Sequence, residues 1–386
     1  MVQRLVGLVA DPTFALVYDA LPSNEGRASL IDALIRSFNL HNECILVPPS
    51  HASKSELCKY HDDDFIAFLL GVDEDCENSI GYLSDSTASE TAEKSPYEVY
   101  GLQDDCPAFP LLPQYVTAVA GATIACARFL TSQRQSSIAI NWHGGRHHAQ
   151  KSRCAGFCYV NDCVLGILEL RKRYEKILYI DLDIHHGDGV EKAFLKSSKV
   201  LTLSFHYAGV GFYPGTGKEV CVREGTGRGW AYALNAPYER NLSCLDSALK
   251  ICVAAFDSFL PDAIVILCGA DGLARDRASE WNLNAKGFEK LIQRILRFTK
   301  PTLLLGGGGY NHQDTARLQT LLTHVAIHDT FLEEEYIPDH EFSEQYKDDL
   351  YQMRIDRLPR VDENTVESVG LLEEKILRCL AAIPSS

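Results

Sequence analysis

Short apolar runs alternate with helical patterns along most of this chain of 386 residues. The runs are rich in branched residues, which is typical of buried strands, and the segments between them carry apolar residues at helical spacing. This alternation predicts βαβ crossovers, in which helices cover both faces of a mostly parallel sheet. The candidate strands are 5–10, 45–47, 138–141, 177–181, 200–204, 232–235, 263–268 and 302–305. The candidate helices are 26–38, 53–60, 116–131, 161–173, 242–260, 286–297, 316–324 and 366–381.

Two polar segments depart from this alternation. Residues 73–97 are rich in Ser, Thr, Glu and Asp, which predicts a mobile surface loop. Residues 331–360 are acidic and irregular, and we expect them to wrap the surface before the last helix. Because the chain shows no clear linker and no internal repeat, we interpret residues 1–386 as a single α/β domain. Its hydrophobic content of 46% is ample for one large core.

The net charge indicates which binding partners are favoured, and the cysteine pattern indicates the redox compartment. A formal net charge of −15 argues against direct binding to nucleic acid or to an anionic membrane, and it permits a basic protein partner. The 13 cysteines are scattered, without a CxxC pair, which is typical of free thiols in a reducing compartment. The sequence shows no secretory signal and no apolar run of about 18 residues, so we expect a soluble, intracellular protein.

Five clusters of unusual residues directly follow candidate strands. Ligand crevices of open parallel sheets lie at the carboxyl ends of the strands, so the five clusters should converge there. Each cluster alone has a structural explanation, such as a helix N-cap at Asp271 or a flexible turn before Tyr310. Their common position favours a shared site. The clusters are 141–148, 181–188, 205–206, 269–271 and 306–310.

The segment after strand 177–181 contains two residues suited to a metal. Asp183 and His185 lie two apart, so an extended backbone turns both side chains to the same side. With Asp271 they offer two carboxylate oxygens and one imidazole nitrogen. Three protein ligands with one open position are the arrangement of a catalytic zinc, which makes bound water a strong nucleophile near pH 7. Structural zinc would more often use cysteine, and no cysteine has suitable spacing here.

Acid–base groups and an electrophile complete the cluster. His147 and His148 titrate near neutral pH, and Asp181 and Asp188 are available to fix their far ring nitrogens. Tyr310 follows four consecutive glycines and could donate a hydrogen bond to a developing oxyanion. The same glycines lack the lysine and hydroxyl of a phosphate-binding GxxxxGK[ST] loop. Together these residues predict metal-assisted hydrolysis of an amide or ester.

Seven motifs between His147 and Phe342 resemble, in family order, the zinc-dependent class I histone deacetylase family, and the match as a whole spans residues 5–342. The short length, without long tails, is most similar to the histone deacetylase 8 branch. The resemblance implies the arginase/deacetylase fold, a single α/β domain with a central, mostly parallel sheet of about eight strands flanked by helices. The motifs are His147-His-Ala, Gly156-Phe-Cys-Tyr-Val-Asn-Asp162, Asp181-Leu-Asp-Ile-His-His-Gly-Asp-Gly189, Phe212-Tyr-Pro-Gly-Thr-Gly217, Gly269-Ala-Asp271, Gly306-Gly-Gly-Gly-Tyr310 and Ile337-Pro-Asp-His-Glu-Phe342.

The resemblance also implies a role for each site residue. His148 would deprotonate the attacking water and later protonate the leaving lysine amine, and His147 would mainly stabilise charge. Tyr310 would polarise the acetyl carbonyl together with the metal. Zinc would be bound by Asp183, His185 and Asp271, while Asp181 would pair with His147 and Asp188 with His148.

Substrate and potassium sites follow from the same resemblance. Phe157 and Tyr213 would line a narrow tunnel for the lysine stem, Asp105 would grip the substrate backbone at the rim, and the Gly156 carbonyl could accept the lysine side-chain N–H. One potassium ion would lie at Asp181, Asp183, His185, Ser204 and Phe205. A second would lie at Phe194, Ser197, Val200 and Tyr232.

Several positions depart from the family pattern without removing a catalytic group. Arg146 stands where this class carries Leu or Trp, and it would lie near Arg27 in a cavity under the site. We interpret His143 as a buried, hydrogen-bonded core histidine rather than a catalytic one. Tyr213 adds a hydroxyl where the tunnel usually has Phe. The other departures are Asp104, Gly272, Arg275 and Gln319.

The predicted function is removal of acetyl groups from lysine in histones or other proteins. An alternative is deacetylation of acetylpolyamines or other small N-acyl amines, and a further one is a non-catalytic scaffold that binds acetyl-lysine. Arginase-like dimanganese chemistry is disfavoured because it needs carboxylates where His147 and His185 stand. The metal could be Zn²⁺ or Fe²⁺. We expect a nuclear or cytoplasmic protein that is active alone rather than one requiring corepressor subunits.

Overall fold

In the computed structural model, which describes residues 4–72, 94–133, 136–221 and 231–384, all strands belong to one sheet. Seven neighbouring pairs join the strands in the order β2-β1-β3-β8-β7-β4-β5-β6, and every pair is parallel. The predicted sheet of eight strands is therefore confirmed. The strands are β1 (Leu5–Leu8), β2 (Ile45–Leu46), β3 (Ser137–Asn141), β4 (Ile177–Asp181), β5 (Val200–Tyr207), β6 (Ala233–Tyr238), β7 (Ala263–Leu267) and β8 (Thr302–Leu305).

Strands β3, β4, β5, β7 and β8 are buried along their whole length. Apolar clusters pack on both faces of the sheet, and alternate residues of one strand enter opposite clusters. In β4, Ile180 belongs to one cluster and Tyr179 to the other. Burial on both faces explains why these strands read as continuous apolar runs rather than as alternating patterns.

Twelve α-helices occur in the described residues. They are α1 (Pro12–Asp19), α2 (Arg27–Ser37), α3 (Lys54–Leu57), α4 (Asp63–Leu70), α5 (Pro96–Val99), α6 (Leu112–Ser132), α7 (Asp162–Leu170), α8 (Asp188–Phe194), α9 (Asp246–Phe259), α10 (Ala285–Leu296), α11 (His312–His328) and α12 (Val366–Ala381). All eight predicted helices are present. Short helices α1, α4, α5 and α8 were not predicted, because few turns give little apolar periodicity.

Helix α6 is long and apolar enough in composition to cross a bilayer, but most of its apolar stretch is buried within the protein. It packs against α1, α7 and strand β3. Its hydropathy is therefore that of a core helix.

The predictions for the two polar segments, 73–97 and 331–360, compare differently with the structure. Residues 73–93 lie outside the described residues, and the end of the predicted loop is a helix, because Pro96 and Tyr97 begin α5. Residues 331–360 are irregular apart from a 3-10 helix, Ser343–Asp349, in agreement with the prediction.

Four of the five polar clusters lie at or after the ends of β3, β4, β7 and β8, whereas the fifth, 205–206, lies inside β5, which extends to Tyr207 rather than ending at residue 204 as predicted. These strands are neighbours in the sheet, in the order β3-β8-β7-β4-β5. Because all of them run in the same direction, their carboxyl ends form one continuous edge. The predicted convergence of the clusters is confirmed.

Candidate metal centre and acid–base pair

The predicted metal ligands meet at the carboxyl ends of β4 and β7. Asp183 and His185 follow β4, and Asp271 follows β7, the adjacent strand. Their ligand atoms all lie within 4.8 Å of one another. Nδ1 of His185 is 3.0 Å from Asp183 Oδ1 and 3.0 Å from Asp271 Oδ2. The structure therefore brings one nitrogen and two oxygens to a common point.

The charges of this cluster fit a divalent cation. Asp183 and Asp271 are almost completely buried, and they are close enough to repel each other. Burial and the Asp183 charge raise the pKa of Asp271 to about 7. Burial alone would lower the pKa of His185, but the two carboxylates outweigh it and raise that pKa to about 10. A metal ion would take the place of the proton and neutralise both carboxylates, so the three residues fit zinc.

His147 and His148 lie side by side, with ring centroids 4.0 Å apart. Nδ1 of His147 donates to Asp181 Oδ2 at 2.8 Å, and Nδ1 of His148 donates to Asp188 Oδ1 at 2.9 Å. Both pairings predicted between histidine and aspartate are present. Each bond directs Nε2 of its ring away from the carboxylate, which leaves that atom for proton transfer.

The two carboxylates have different surroundings. Asp181 is fully buried and its Oδ2 also accepts from the Tyr179 hydroxyl at 2.7 Å. Asp188 accepts at Oδ2 from Gln150 at 3.0 Å and from Lys192 at 2.9 Å. The sequence alone did not identify Tyr179, Gln150 or Lys192 as their partners.

The two histidines consequently differ in pKa. Burial opposes charge on His147, but Asp181 and Asp183 overcome it and raise its pKa to about 9. Burial and the neighbouring His147 charge lower the pKa of His148 to about 3, against the effect of Asp188. A neutral His148 can accept a proton, whereas a cationic His147 can stabilise negative charge.

Tyr310 follows a loop that only glycine can form. Gly308 donates its N–H to Asp183 Oδ2 at 2.7 Å, and a Cβ there would lie 2.0 Å from an Asp271 oxygen. Gly309 has φ +136°, which side-chain-bearing residues rarely adopt. Asp276, which the sequence analysis missed, accepts the backbone N–H of Tyr310 at 2.7 Å. Hydrogen bonds thus attach the glycine loop to the metal ligand Asp183 and the backbone of Tyr310 to Asp276.

The predicted substrate residues surround the acid–base pair. The ring of Tyr213 meets the His148 ring edge to face at 5.0 Å, and the Phe157 ring lies 5.7 Å from that of Tyr310. Asp105 Oδ2 accepts the Gly156 backbone N–H at 2.7 Å, which holds the turn before Phe157. One oxygen of Asp105 is therefore already used within the protein.

A further aromatic residue supports the metal ligand set. Phe212 stacks on His185 with centroids 4.9 Å apart and an interplanar angle of 5°. Sequence analysis gave Phe212 no role of its own. The contact fixes the plane of the His185 ring.

The residues of the first predicted potassium site lie on or directly after the adjacent strands β4 and β5. Asp181 pairs in register with Ser204, and Phe205 follows in β5. Asp183 and His185 continue the chain beyond Asp181. The residues of the second predicted site, Phe194, Ser197, Val200 and Tyr232, lie on or near β5. Ser197 N donates to Phe194 O at 2.8 Å, and Thr202 N of β5 donates to Tyr232 O at 2.9 Å. Both sites remain predictions.

Two residues that depart from the family pattern, His143 and Arg146, are buried polar side chains below the metal centre. His143 Nε2 lies 3.0 Å from Asp32 Oδ1, and each side chain is 3% exposed. The interpretation of His143 as a hydrogen-bonded core residue is confirmed, and Asp32 is the partner that sequence did not reveal. Arg27 donates to the carbonyls of Gly307 and Gly309, and Arg146 donates to that of His143. Burial and the Arg146 charge lower the pKa of Arg27 to about 10.

Arg275 enters an ion network that joins the Asp271 loop to the C-terminal segment. Its Nε donates to Asp314 Oδ2 at 2.8 Å, and its Nη1 to Asp349 Oδ1 at 2.6 Å. Arg317, which is fully buried, contacts the same two carboxylates. Among the other departures, Gly272 packs under Trp281, and Asp104 lines the same surface pocket as Asp105. Gln319 is buried without a partner for its amide among the described residues.

Comparison with known proteins agrees with this geometry. A family model described as the histone deacetylase domain matches residues 21–326. Histone deacetylase 8 of Xenopus tropicalis is 39% identical over 354 residues, which cover 91% of this chain and 90% of that protein. Histone deacetylase 8 of Danio rerio is 39% identical over 367 residues, covering 94% of this chain and 91% of that protein.

Human histone deacetylase 1 is 35% identical over 367 residues, covering 94% of this chain and 72% of that protein. The resemblance carried by the seven motifs is therefore confirmed, including the greater similarity to the histone deacetylase 8 branch. The chain belongs to the histone deacetylase family: it is a hydrolase, a lysine deacetylase with the arginase/deacetylase fold.

Proposed function

We propose that this enzyme removes acetyl groups from lysine side chains of histones or other proteins by metal-assisted hydrolysis. The observation that carries the proposal is the convergence of three metal ligands, two carboxylate-paired histidines and Tyr310 at one edge of the sheet. Asp183, His185 and Asp271 would hold Zn²⁺, with Fe²⁺ as an alternative. When bound there, the ion would supply a water nucleophile at neutral pH and polarise the acetyl carbonyl.

His148 is proposed as the general base and His147 as the charge-stabilising partner. The Tyr213 ring packs on His148, whereas Nε2 of His147 lies 3.8 Å from Asp183 Oδ1. His148 thus lies between Tyr213 of the proposed substrate tunnel and the metal ligand His185, whose ring centroid is 5.9 Å away, while His147 lies beside the metal ligand Asp183. In the second half of the reaction, His148 would return its proton to the leaving lysine amine.

Tyr310 is proposed to donate its hydroxyl proton in a hydrogen bond to the developing oxyanion. Burial, together with the charges of Asp271 and Asp183, raises the pKa of Tyr310 well above its usual value. The phenol is therefore protonated at neutral pH and available as a donor. A preorganised donor of this kind typically contributes about 100- to 1,000-fold to kcat.

The test is the kcat of purified enzyme on an acetyl-lysine peptide with measured metal content. Tyr310→Phe and His148→Ala should each lower kcat by about 100-fold or more. Chelation should abolish activity, and added Zn²⁺ or Fe²⁺ should restore it to different extents. A variant that keeps kcat within tenfold of the wild type would show that its residue lacks the proposed role. Full loss with Tyr310→Phe would also exclude a non-catalytic scaffold.

Small N-acyl amines such as acetylpolyamines are the second candidate substrates. Asp105 distinguishes the two classes, since a peptide offers backbone N–H groups to its carboxylate and a small amine does not. Asp105→Asn keeps an oxygen for the Gly156 N–H, so the turn before Phe157 should survive. A loss of kcat/KM on peptides with unchanged kcat/KM on acetylpolyamines supports protein substrates, whereas equal loss on both argues against them.

We also propose K⁺ as a structural ion at the two predicted sites, and action in the nucleus or cytoplasm without obligate corepressor subunits. The support for the first potassium site is the register of Asp181 with Ser204. Exchange of K⁺ for a larger organic cation in the buffer should lower thermal stability if either site is occupied. Activity of the isolated chain on a peptide would support independence from partners.

A further inference from the structure

A cavity of 540 Å³ lies between helix α10 and the segment 332–356, and none of the catalytic or metal-binding residues lines it. One wall consists of two chain segments joined by backbone hydrogen bonds. Met353 N donates to Glu335 O at 2.9 Å, and Ile337 N donates to Tyr351 O at 2.7 Å. The cavity is therefore bounded by ordered backbone rather than by loose side chains alone.

Glu289 lines this cavity and has an unsatisfied carboxylate. The residue is 5% exposed, and its Oε1 has no hydrogen-bond partner among the described residues. Burial raises the pKa of Glu289 to about 7, although the Lys286 charge acts in the opposite direction. A buried carboxylate that is poorly satisfied is costly, by about 1–3 kcal/mol for an unpartnered acceptor, and Glu289 lines the cavity, so a charged donor bound there would stabilise this side chain.

The mouth of the cavity carries a negative charge. Glu333, Glu334 and Glu335 are exposed there, and none of them lies within ion-pair distance of a basic side chain in the described ranges. The two cations at the cavity already have partners, one of which, Asp356, also lines the cavity. Arg354 pairs with Asp356 at 2.5 Å, and the Lys286 ammonium lies 3.5 Å from the centre of the Phe331 ring. The field at the mouth therefore attracts cations.

Apolar side chains line the interior. Leu321, Met353 and Ile355 are 7%, 3% and 4% exposed and border the cavity together with Leu332. A hydrocarbon stem in contact with them would gain about 25 cal/mol for each Å² of apolar surface buried. A buried carboxylate beside such a surface matches a ligand with a cationic head and an aliphatic stem.

We propose that this cavity is a binding site for a primary ammonium on an aliphatic stem, with the ammonium at Glu289 and the stem against Leu321 and Met353. The site is separate from the acetyl-lysine site and does not depend on the proposed catalytic mechanism. A free alkylamine or polyamine and an unmodified lysine of a protein both present this chemistry.

The probe is n-hexylammonium, titrated by calorimetry against the whole enzyme while a hydroxamate occupies the candidate active site. Glu289→Gln should weaken its binding at least fivefold, and Lys286→Gln should strengthen it because a competing positive charge is removed. Hexan-1-ol, which has the same stem without the charge, should bind at least fivefold more weakly than hexylammonium. Glu367→Gln, on the exposed face of α12, is the matched control and should change nothing.

Two results would overturn the proposal. Equal binding of hexan-1-ol and hexylammonium would mean an apolar cavity without cation recognition, and unchanged binding in Glu289→Gln would remove the carboxylate from the site. Deacetylase activity of Glu289→Gln should equal that of the wild type, which verifies its fold. If that variant does not fold, Glu334→Lys with Glu335→Lys alters only exposed residues and should weaken binding at least threefold, and no change would equally overturn the proposal.

The source of the ammonium is decided by a second probe. A leucine-flanked peptide with one free lysine is compared with the same peptide carrying norleucine at that position. Tighter binding of the lysine peptide than of hexylammonium assigns the site to protein lysines, and weaker binding assigns it to free amines. Equal binding of the lysine and norleucine peptides would contradict both assignments.

Discussion

Asp276, which is only 4% exposed, accepts a hydrogen bond at Oδ2 from the backbone N–H of Tyr310 at 2.7 Å. The same oxygen accepts from Asn311 N at 2.9 Å, and Oδ1 accepts from Ala278 N at 2.9 Å. Asp276 lies five residues after the metal ligand Asp271. It therefore fixes the loop of Tyr310 relative to the loop of Asp271.

Replacing Asp276 should lower kcat by moving Tyr310. Asp276→Asn retains one acceptor oxygen and loses the charge, and we expect a roughly tenfold or greater loss of kcat with little change in KM, since small misplacements are costly. In a Tyr310→Phe background the same substitution should change kcat less than twofold. If Asp276→Asn lowers kcat by a further tenfold in the Tyr310→Phe background, Asp276 does not act through Tyr310.

Replacing Asp188 should lower kcat through His148 far more than replacing Lys192. Asp188→Asn removes the charge that orients His148 and would disfavour its protonated form, so kcat should fall by about 100-fold or more. Lys192 contacts Asp188 but is half exposed, so Lys192→Met should cost no more than about fivefold. Rates on one acetyl-lysine peptide compare the two. Equal losses would contradict the assigned roles.

The two carboxylates that pair with Arg317 should contribute unequally to the free energy of unfolding. Asp314 is 1% exposed and pairs with Arg275 and with Arg317, which is fully buried. Asp314→Ala would leave a buried guanidinium poorly compensated, at a cost of about 3–5 kcal/mol in the free energy of unfolding. Asp349→Ala removes a partner that is 33% exposed and should cost about 1 kcal/mol. Urea unfolding of both variants measures the difference, and the opposite ranking would refute this account.

His61 should make the protein less stable in acid. Its Nδ1 donates to Lys151 O at 3.1 Å and its Nε2 accepts from Asn161 N at 2.9 Å, so the folded protein holds a neutral ring. Burial lowers its pKa to about 4, below the value of about 6.5 in an unfolded chain. The stability is then complete above pH 6.5 and is lost as pH falls toward 4, by about 2–3 kcal/mol.

The check is the free energy of unfolding between pH 7.5 and 4.5 for the wild type and His61→Asn. Asparagine does not titrate, so the variant should be destabilised at pH 7.5 and its disadvantage should shrink toward pH 4.5. Curves that remain parallel over this range would mean that His61 does not titrate as described.

The apolar runs determined the sheet. Residues such as Ile177–Asp181 form a strand wherever both faces are covered, so a local pattern was sufficient to predict all eight strands. Helices α1 and α8 were missed because one or two turns carry too little periodicity, although Asp11 caps α1 just before Pro12. The metal ligands were predicted from their spacing and their positions after two strands, and the specific histidine–aspartate pairs from the resemblance to a known family.

Only the tertiary structure decided which groups support those residues. Asp276, Asp32 and Phe212 act through contacts between segments far apart in the chain, and such contacts leave no local pattern in a sequence. The cavity at Glu289 likewise exists only because α10 packs beside the segment 332–356. The sequence by itself specified which segments are strands and which reactive side chains lie near their carboxyl ends, although β5 and β6 extend about three residues further than predicted. Packing specified the partners, charges and cavities around them, because these depend on which distant surfaces meet.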